Sequence, residues 1–143
     1  MAESLPESAK EFIRSGAYAH LVTLDEDGGP YVTMAWTKVE GEDLLIGTLA
    51  DQRKLRNLRR DPRVAISYEG TEQNEWGLRH YLVVTGAATV TEGGAPELLQ
   101  ELARTYLEPD TVFPHAGAPP GFVTRIRVEG TAGIGPWAGE SGA

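Results

Sequence analysis

Residues 44–69, LLIGTLADQRKLRNLRRDPRVAISYE, constrain the chain most. They read as a strand from Leu44 to Leu49, a tight entry at Asp51, a short basic helix from Gln52 to Arg60, and a strand from Arg63 to Tyr68. Six of the 13 Lys and Arg residues lie between Arg53 and Arg63, against the single acid Asp61, while the whole chain carries a net charge of −8. A positive spot on an acidic protein points to a bound anion. Asp51 is the expected N-cap, because its carboxylate accepts from free N–H groups of the first turn. Arg53 and Lys54 then fall where cations oppose the helix dipole, at a cost of about 0.3–1 kcal/mol each, and where a phosphate would reverse the sign. Arg53, Asn57 and Arg60 recur at i, i+4 and i+7, so they share a face, with Leu55 and Leu58 turned inward. The competing reading is a solvated charged face. No acid stands at i±4 from Arg56 or Arg60, so ion pairs within the helix do not account for the run.

The rest of the chain supplies short strands. Residues 4–15 predict a helix with Pro6 at its first position, Glu7 in the first turn and Gly16 past its end. Ala17 to Leu24 and Pro30 to Val39 predict two strands around the turn DEDGGP, and with Leu44 to Leu49 they predict a meander of three neighbours. Residues 69–81 are polar and read as a loop holding Trp76. Tyr81 to Thr91 predicts a strand with room for a bulge at Gly86. Residues 94–107 predict a helix with Leu98, Leu99, Leu102, Tyr106 and Leu107 inward, and Phe122 to Val128 an alternating strand. The tail runs from Thr131 to Trp137, and residues 138–143 read as loose. About six antiparallel strands and three short helices predict a mainly β fold, a small barrel in one domain spanning 1–143, with helices over its openings.

Function classes narrow by what is missing. The chain has no cysteine, which removes disulfides, thiolate nucleophiles, iron–sulfur clusters and thiolate zinc sites. No apolar run approaches the ~20 residues that span a bilayer, and no signal pattern opens the chain, so a cytoplasmic address is expected, with no membrane partner. The acidic balance argues against nucleic acid as a partner. His20, His80 and His115 are scattered without metal-ligand spacing, so no metal site is expected. No serine sits in a GxSxG turn. Any redox chemistry would therefore have to come from a cofactor.

The run Arg53 to Val64, RKLRNLRRDPRV, set between LLIGT and AISYEG, resembles the pyridoxamine 5'-phosphate oxidase-like split β-barrel flavoproteins. Together with AHLVTLDEDGGPYVTMAW and IGPWA it is most similar to the branch that uses the deazaflavin coenzyme F420. That resemblance implies a homodimer with cofactor sites at the interface. It matches Lys54 to the lysine holding the cofactor phosphate, with Arg53 and Asn57 beside it. Thr33, Met34, Ala35 and Trp36 match the strand lining the ring, and Thr48 and Leu49 the strand end beneath it. Arg60 would face the phosphate or the anionic tail, and Trp76 and Trp137 would close the pocket from the partner chain. The implied activity is hydride transfer between reduced deazaflavin and a small conjugated substrate such as an enone or quinone. The alternatives are an FMN-binding reductase or oxidase of the same fold and a non-catalytic flavin or tetrapyrrole binding protein. No catalytic acid is assigned. The C-terminal substrate-phosphate motif of true pyridoxamine phosphate oxidases is missing, so vitamin B6 oxidation is not implied.

Overall fold

The computed structural model describes residues 5–140, with side chains through Ala138; residues 141–143 of the tail expected to be loose lie outside the described residues. Seven strands form one antiparallel sheet: β1 (Ala19–Leu24), β2 (Pro30–Ala35), β3 (Lys38–Glu40), β4 (Asp43–Thr48), β5 (Arg63–Gln73), β6 (Arg79–Glu92) and β7 (Phe122–Ile134). Their order across the sheet is β2-β1-β5-β6-β7-β4-β3. Four helices accompany them: α1 (Glu7–Arg14), α2 (Arg53–Arg60), α3 (Ala95–Tyr106) and the short α4 (Trp137–Glu140).

The expected meander is broken after its first hairpin. β1 pairs with β2, but the single strand read from Pro30 to Val39 divides at Trp36 and Thr37; its second part, β3, keeps the expected pairing with β4, whose other neighbour is β7. Side-chain bonding explains the break. Thr37 is buried, its hydroxyl shares a 2.9 Å hydrogen bond with the Tyr68 hydroxyl, and its N–H donates to Tyr106 Oη at 3.4 Å. Those bonds replace the ladder partners that a continuous strand would need. The sheet is thus interrupted where β2 gives way to β3.

Alternation then sorts the residues. Ala19, Leu21 and Thr23 of β1 are buried, as are Val64, Ile66 and Tyr68 of β5, and these two strands pair Leu21 with Ile66. Ile126 and Val128 of β7 join Leu44, Ile46, Leu82 and Val84 in the same core. α1, through Ala9 and Ile13, and Leu5 just before it close one side of it. Glu42 ties that helix down by accepting from Leu5 N and Lys10 Nζ, each at 2.9 Å. A second cluster of Leu45, Leu98 and Leu102, with Trp36, Tyr106 and Val123 against it, lies between α3 and β4. Leu107, expected inward, is exposed because the helix ends one residue before it.

Three strands run further than their hydropathy suggested. The polar stretch read as a loop is the end of a hairpin, with β5 reaching Gln73 and β6 starting at Arg79. Backbone pairing needs no apolar side chain, so an exposed polar ribbon carries no hydrophobic period to read. Similarly, β7 continues to Ile134, with a register shift opposite Thr85 and Gly86 where a bulge was expected. A Cβ at Gly86 would lie 2.2 Å from Arg127 O, so only glycine fits there.

Candidate cofactor site

β4 ends at Thr48, and α2 begins at Arg53 and buries Lys54, Leu55, Asn57 and Leu58. The helix stops before Pro62, whose ring disfavours helical geometry at Asp61. The N-cap is Gln52, not Asp51, and it makes no side-chain cap bond. The Asp51 carboxylate instead accepts from Arg59 Nη1, and its carbonyl from Arg56 Nη1, each at 2.8 Å. An arginine one or two turns on thus outcompetes the helix's own N–H groups for that carboxylate.

The predicted stripe of Arg53, Asn57 and Arg60 does come together, and it meets a partner that spacing along the helix does not reveal. Asp25, at the end of β1, accepts from Arg53 Nε at 3.0 Å and from Arg53 Nη2, and also from Asn57 Nδ2 at 2.9 Å. Asn57 donates in addition to Thr23 Oγ1 at 3.1 Å, and Arg60 Nη2 donates to Leu24 O at 2.6 Å and Asn57 Oδ1 at 3.0 Å. The Arg53 guanidinium lies 4.2 Å from the centre of the Tyr31 ring. Arg53 and then Asn57, by bonding to it, hold the Asp25 carboxyl below the usual carboxylate range. Asp25, Glu26, Asp27, Arg53, Arg56, Asn57 and Arg60 together line an open cavity of about 500 Å³.

Lys54 differs from these arginines in burial and in pairing. It is only 8% exposed, and among the described residues its ammonium has no hydrogen bond or ion pair. Burial alone pushes its pKa down. The Thr33 and Thr48 hydroxyls are also buried without a partner, as is that of Thr131 on β7. An unpaired buried polar group costs about 1–3 kcal/mol, more when charged. Two such groups, the Thr33 and Thr48 hydroxyls, fall among the residues predicted to hold a cofactor, as does Lys54, largely buried along its stem and without an ion pair among the described residues. Residues 48–49 are themselves pinned: a Cβ on Gly121 would lie 2.4 Å from Thr48 O and 2.9 Å from the Cα of half-buried Leu49.

The predicted ring-lining segment is divided by strand alternation. Thr33 and Ala35 pair with Leu21 and Ala19 and share their inward face, whereas Met34 is exposed on the outer face. Trp36 lies beyond the strand, stacked on Tyr106 at 5.2 Å between ring centres and 5° between planes, with Phe113 edge-on at 5.6 Å. Tyr18, Met34, Ala35, Trp36, Leu99 and Phe113 line an open, predominantly apolar pocket of about 290 Å³. Tyr18, Leu99 and Phe113, from three separate segments, were not foreseen there.

The two remaining tryptophans part company. Trp76 sits in the turn of the β5–β6 hairpin and is 77% exposed. Trp137, expected to reach a partner chain, is 2% exposed in its own core. Its ring stacks on Phe12 of α1 at 4.8 Å, and its Nε1 donates to Tyr81 O at 3.0 Å. A ring with both its face and its N–H engaged inside the chain is not available to another subunit.

Comparison with known proteins agrees with this architecture. The family model described as pyridoxamine 5'-phosphate oxidase matches residues 5–134. Among solved structures, an F420 reductase superposes with a TM-score of 0.73 at 26% identity, covering 90% of this chain and 98% of that one. A conserved hypothetical protein of Mycobacterium tuberculosis gives 0.67 at 25% identity, covering 92% and 85%. The heme storage protein HutZ of Vibrio cholerae gives 0.64 at 22% identity, covering 91% and 94%, a likeness of fold. No curated protein matches the chain in sequence.

Proposed function

This chain belongs to the pyridoxamine 5'-phosphate oxidase family, and from that membership we propose that it is an oxidoreductase that binds a phosphorylated flavin-type cofactor, coenzyme F420. The observation that carries the proposal is the largely buried Lys54 without an ion pair, in the first turn of α2, following the buried, unpartnered Thr48 hydroxyl at the end of β4. A phosphate supplies what those groups lack, namely a charge for the ammonium and acceptors for the hydroxyls. Lys54 and Thr48 hold the phosphate, and Thr33 and Ala35 contact the ring from the inward face of β2. The F420 reductase, similar over 90% of the chain, favours the deazaflavin. When bound, the cofactor supplies hydride transfer, and a small conjugated acceptor is the substrate class. The apolar pocket beside Trp36 suits an uncharged acceptor.

The working unit is a homodimer. The outer face of β2 and β1 exposes Val32 (57%) and Met34 (55%) two residues apart on β2, with half-buried Val22 of β1 paired to Val32. Apolar residues so clustered on an open sheet face mark an association surface.

FMN is the second reading, because it offers a phosphate to the same lysine. Fluorescence titration of the purified protein with F420 and with FMN separates the two. Tight binding of F420 with weak binding of FMN supports the proposal, the reverse order transfers the chain to FMN, and binding of neither overturns both. Turnover of a model enone by the F420 complex distinguishes an enzyme from a carrier.

A further inference from the structure

The rings around Trp36 are held by different means. Tyr106, stacked on it, is fixed by the backbone, because its Oη donates to Ala17 O at 3.2 Å and accepts from Thr37 N at 3.4 Å. Phe113, which meets Trp36 edge-on, lies between α3 and β7 outside any helix or strand. A side chain of α3 holds its backbone: Gln100 Oε1 accepts from Phe113 N at 3.1 Å, and Gln100 Nε2 donates to Thr111 O at 3.0 Å. One amide thus pairs with an N–H and a carbonyl two residues apart, as a neighbouring strand would. Val112 between them is exposed. The next residue back on α3, Leu99, lines the pocket and is seated on β4, where a Cβ on Gly47 would lie 3.1 Å from Leu99 Cγ. Adjacent residues of α3 therefore supply one lining residue of the apolar pocket and the clasp that holds another.

We infer that Gln100 is a positioning residue that sets Phe113 as an aromatic wall of this pocket, and that the pocket so formed selects a flat, uncharged, conjugated carbonyl compound over a saturated one of the same size. None of the six lining side chains carries a charge at neutral pH, so a charged ligand would lose hydration there without compensation. Tyr18, Trp36 and Phe113 are aromatic, and aromatic rings favour a flat partner in offset or edge-to-face contact. At about 290 Å³ the pocket stands at the small end of the roughly 300–1,000 Å³ that drug-sized ligands take, which suits a single ring. Ala35 belongs both to the pocket and to the segment of β2 predicted to line a cofactor ring. That the ligand is the hydride acceptor rests on the proposed oxidoreductase reading; the clasp and the wall do not.

The test uses the full chain without cofactor and two probes, acetophenone and cyclohexyl methyl ketone, titrated by ligand-observed NMR. Met34 also lies on the face that the proposed homodimer would bury, so the protein is kept in its native assembly. The wild-type protein is expected to prefer acetophenone by roughly three- to ten-fold, the scale of one aromatic pair. Phe113→Leu, which keeps an apolar side chain and removes the ring, is expected to erase most of that preference. Gln100→Met, which keeps the stem and the helix propensity and removes both bonds, is expected to erase it to a similar extent. The combined variant is expected to lose no more than Phe113→Leu alone, because the two residues act through one contact. Absence of binding, equal affinity for the two ketones, a wild-type preference in Gln100→Met, or additive losses in the combined variant each overturn the inference. Should Gln100→Met fail to fold, Gln100→Glu, which retains the acceptor for Phe113 N–H and loses the donor to Thr111 O, is held to the same comparison with a smaller expected loss. Failure of the flavin reading shows separately, as wild-type protein that binds neither F420 nor FMN while the contrast between the ketones persists.

Discussion

On the proposed reading, Lys54 is a liability to the unliganded chain and an asset to the liganded one. Replacing it with Met keeps the apolar stem and removes the charge, so Lys54→Met is expected to leave the unliganded protein as stable or up to about 1–3 kcal/mol more stable, while weakening flavin binding by about 1–3 kcal/mol. Chemical denaturation and a fluorescence titration measure the two effects; loss of stability with unchanged affinity would mark the residue as structural. The pH dependence of Lys54 has a definite sign. Its folded pKa lies below the ordinary 10.5, so the unfolded chain binds more protons in the window just below that value and stability rises with pH there. Asp61 behaves oppositely in position though not in direction of slope. Bonds from the Arg63 guanidinium and N–H lower it from 3.8 to about 2, so its contribution is present above pH 3.8 and lost as pH falls toward 2. Asp61→Asn is expected to flatten the acid limb of the stability curve in that window, measured by urea unfolding from pH 4 to about 2.

At the level of elements, the two ends of the β5–β6 hairpin do different work. Near the barrel, Tyr81 accepts the Trp137 N–H, and Trp137 carries Phe12 of α1 against it, so helix, hairpin and chain end are locked by one indole. Trp137→Ala is expected to cost about 3–5 kcal/mol of folding stability, the range for emptying a large aromatic site. At the far tip, Trp76 touches little, and Trp76→Ala is expected to change folding stability by no more than about 0.5 kcal/mol. Thermal or denaturant unfolding of the pair decides it. Equal costs would mean that the tip packs against something in the folded state. The tryptophans could not be told apart from sequence, because each stands beside a turn or strand end and burial there depends on which distant helix covers it. The helices themselves were legible from their apolar periods and stop signals, within a residue or three at each end.

For the whole molecule, the outer sheet face with exposed Val32 and Met34 is the surface that the proposed homodimer would bury. Val32→Glu/Met34→Glu is expected to yield a monomer at micromolar concentration with weakened flavin binding, followed by analytical ultracentrifugation and fluorescence. A variant that stays dimeric would place the interface elsewhere. Placing charges on this face leaves the inward residues Thr33 and Ala35 untouched, because successive residues of a strand face opposite sides. A change in binding would therefore report the loss of the partner and not damage to β2.

Local sequence determined much of this protein. Period and turn chemistry set out the antiparallel strands and three of the helices, and the basic run with its unusual cations in the first turn marked α2 as a candidate anion site. The likeness of residues 53–64 to a family motif singled out Lys54 among six neighbouring charges. Only the tertiary structure decided which of those charges is free. Asp25 lies 28 residues from Arg53 in the chain, yet its carboxylate occupies the guanidinium; Lys54, adjacent to Arg53, is left buried and alone. Pairing between charges depends on separation in space, and the folding of β1 against α2 sets that separation without leaving a trace in either segment alone. The same holds for Thr37, whose bonds to Tyr68 and Tyr106 interrupt a strand that its local sequence would have continued. Propensity acts over a few neighbours, whereas the satisfaction of buried polar groups is settled by whatever the whole chain brings to them.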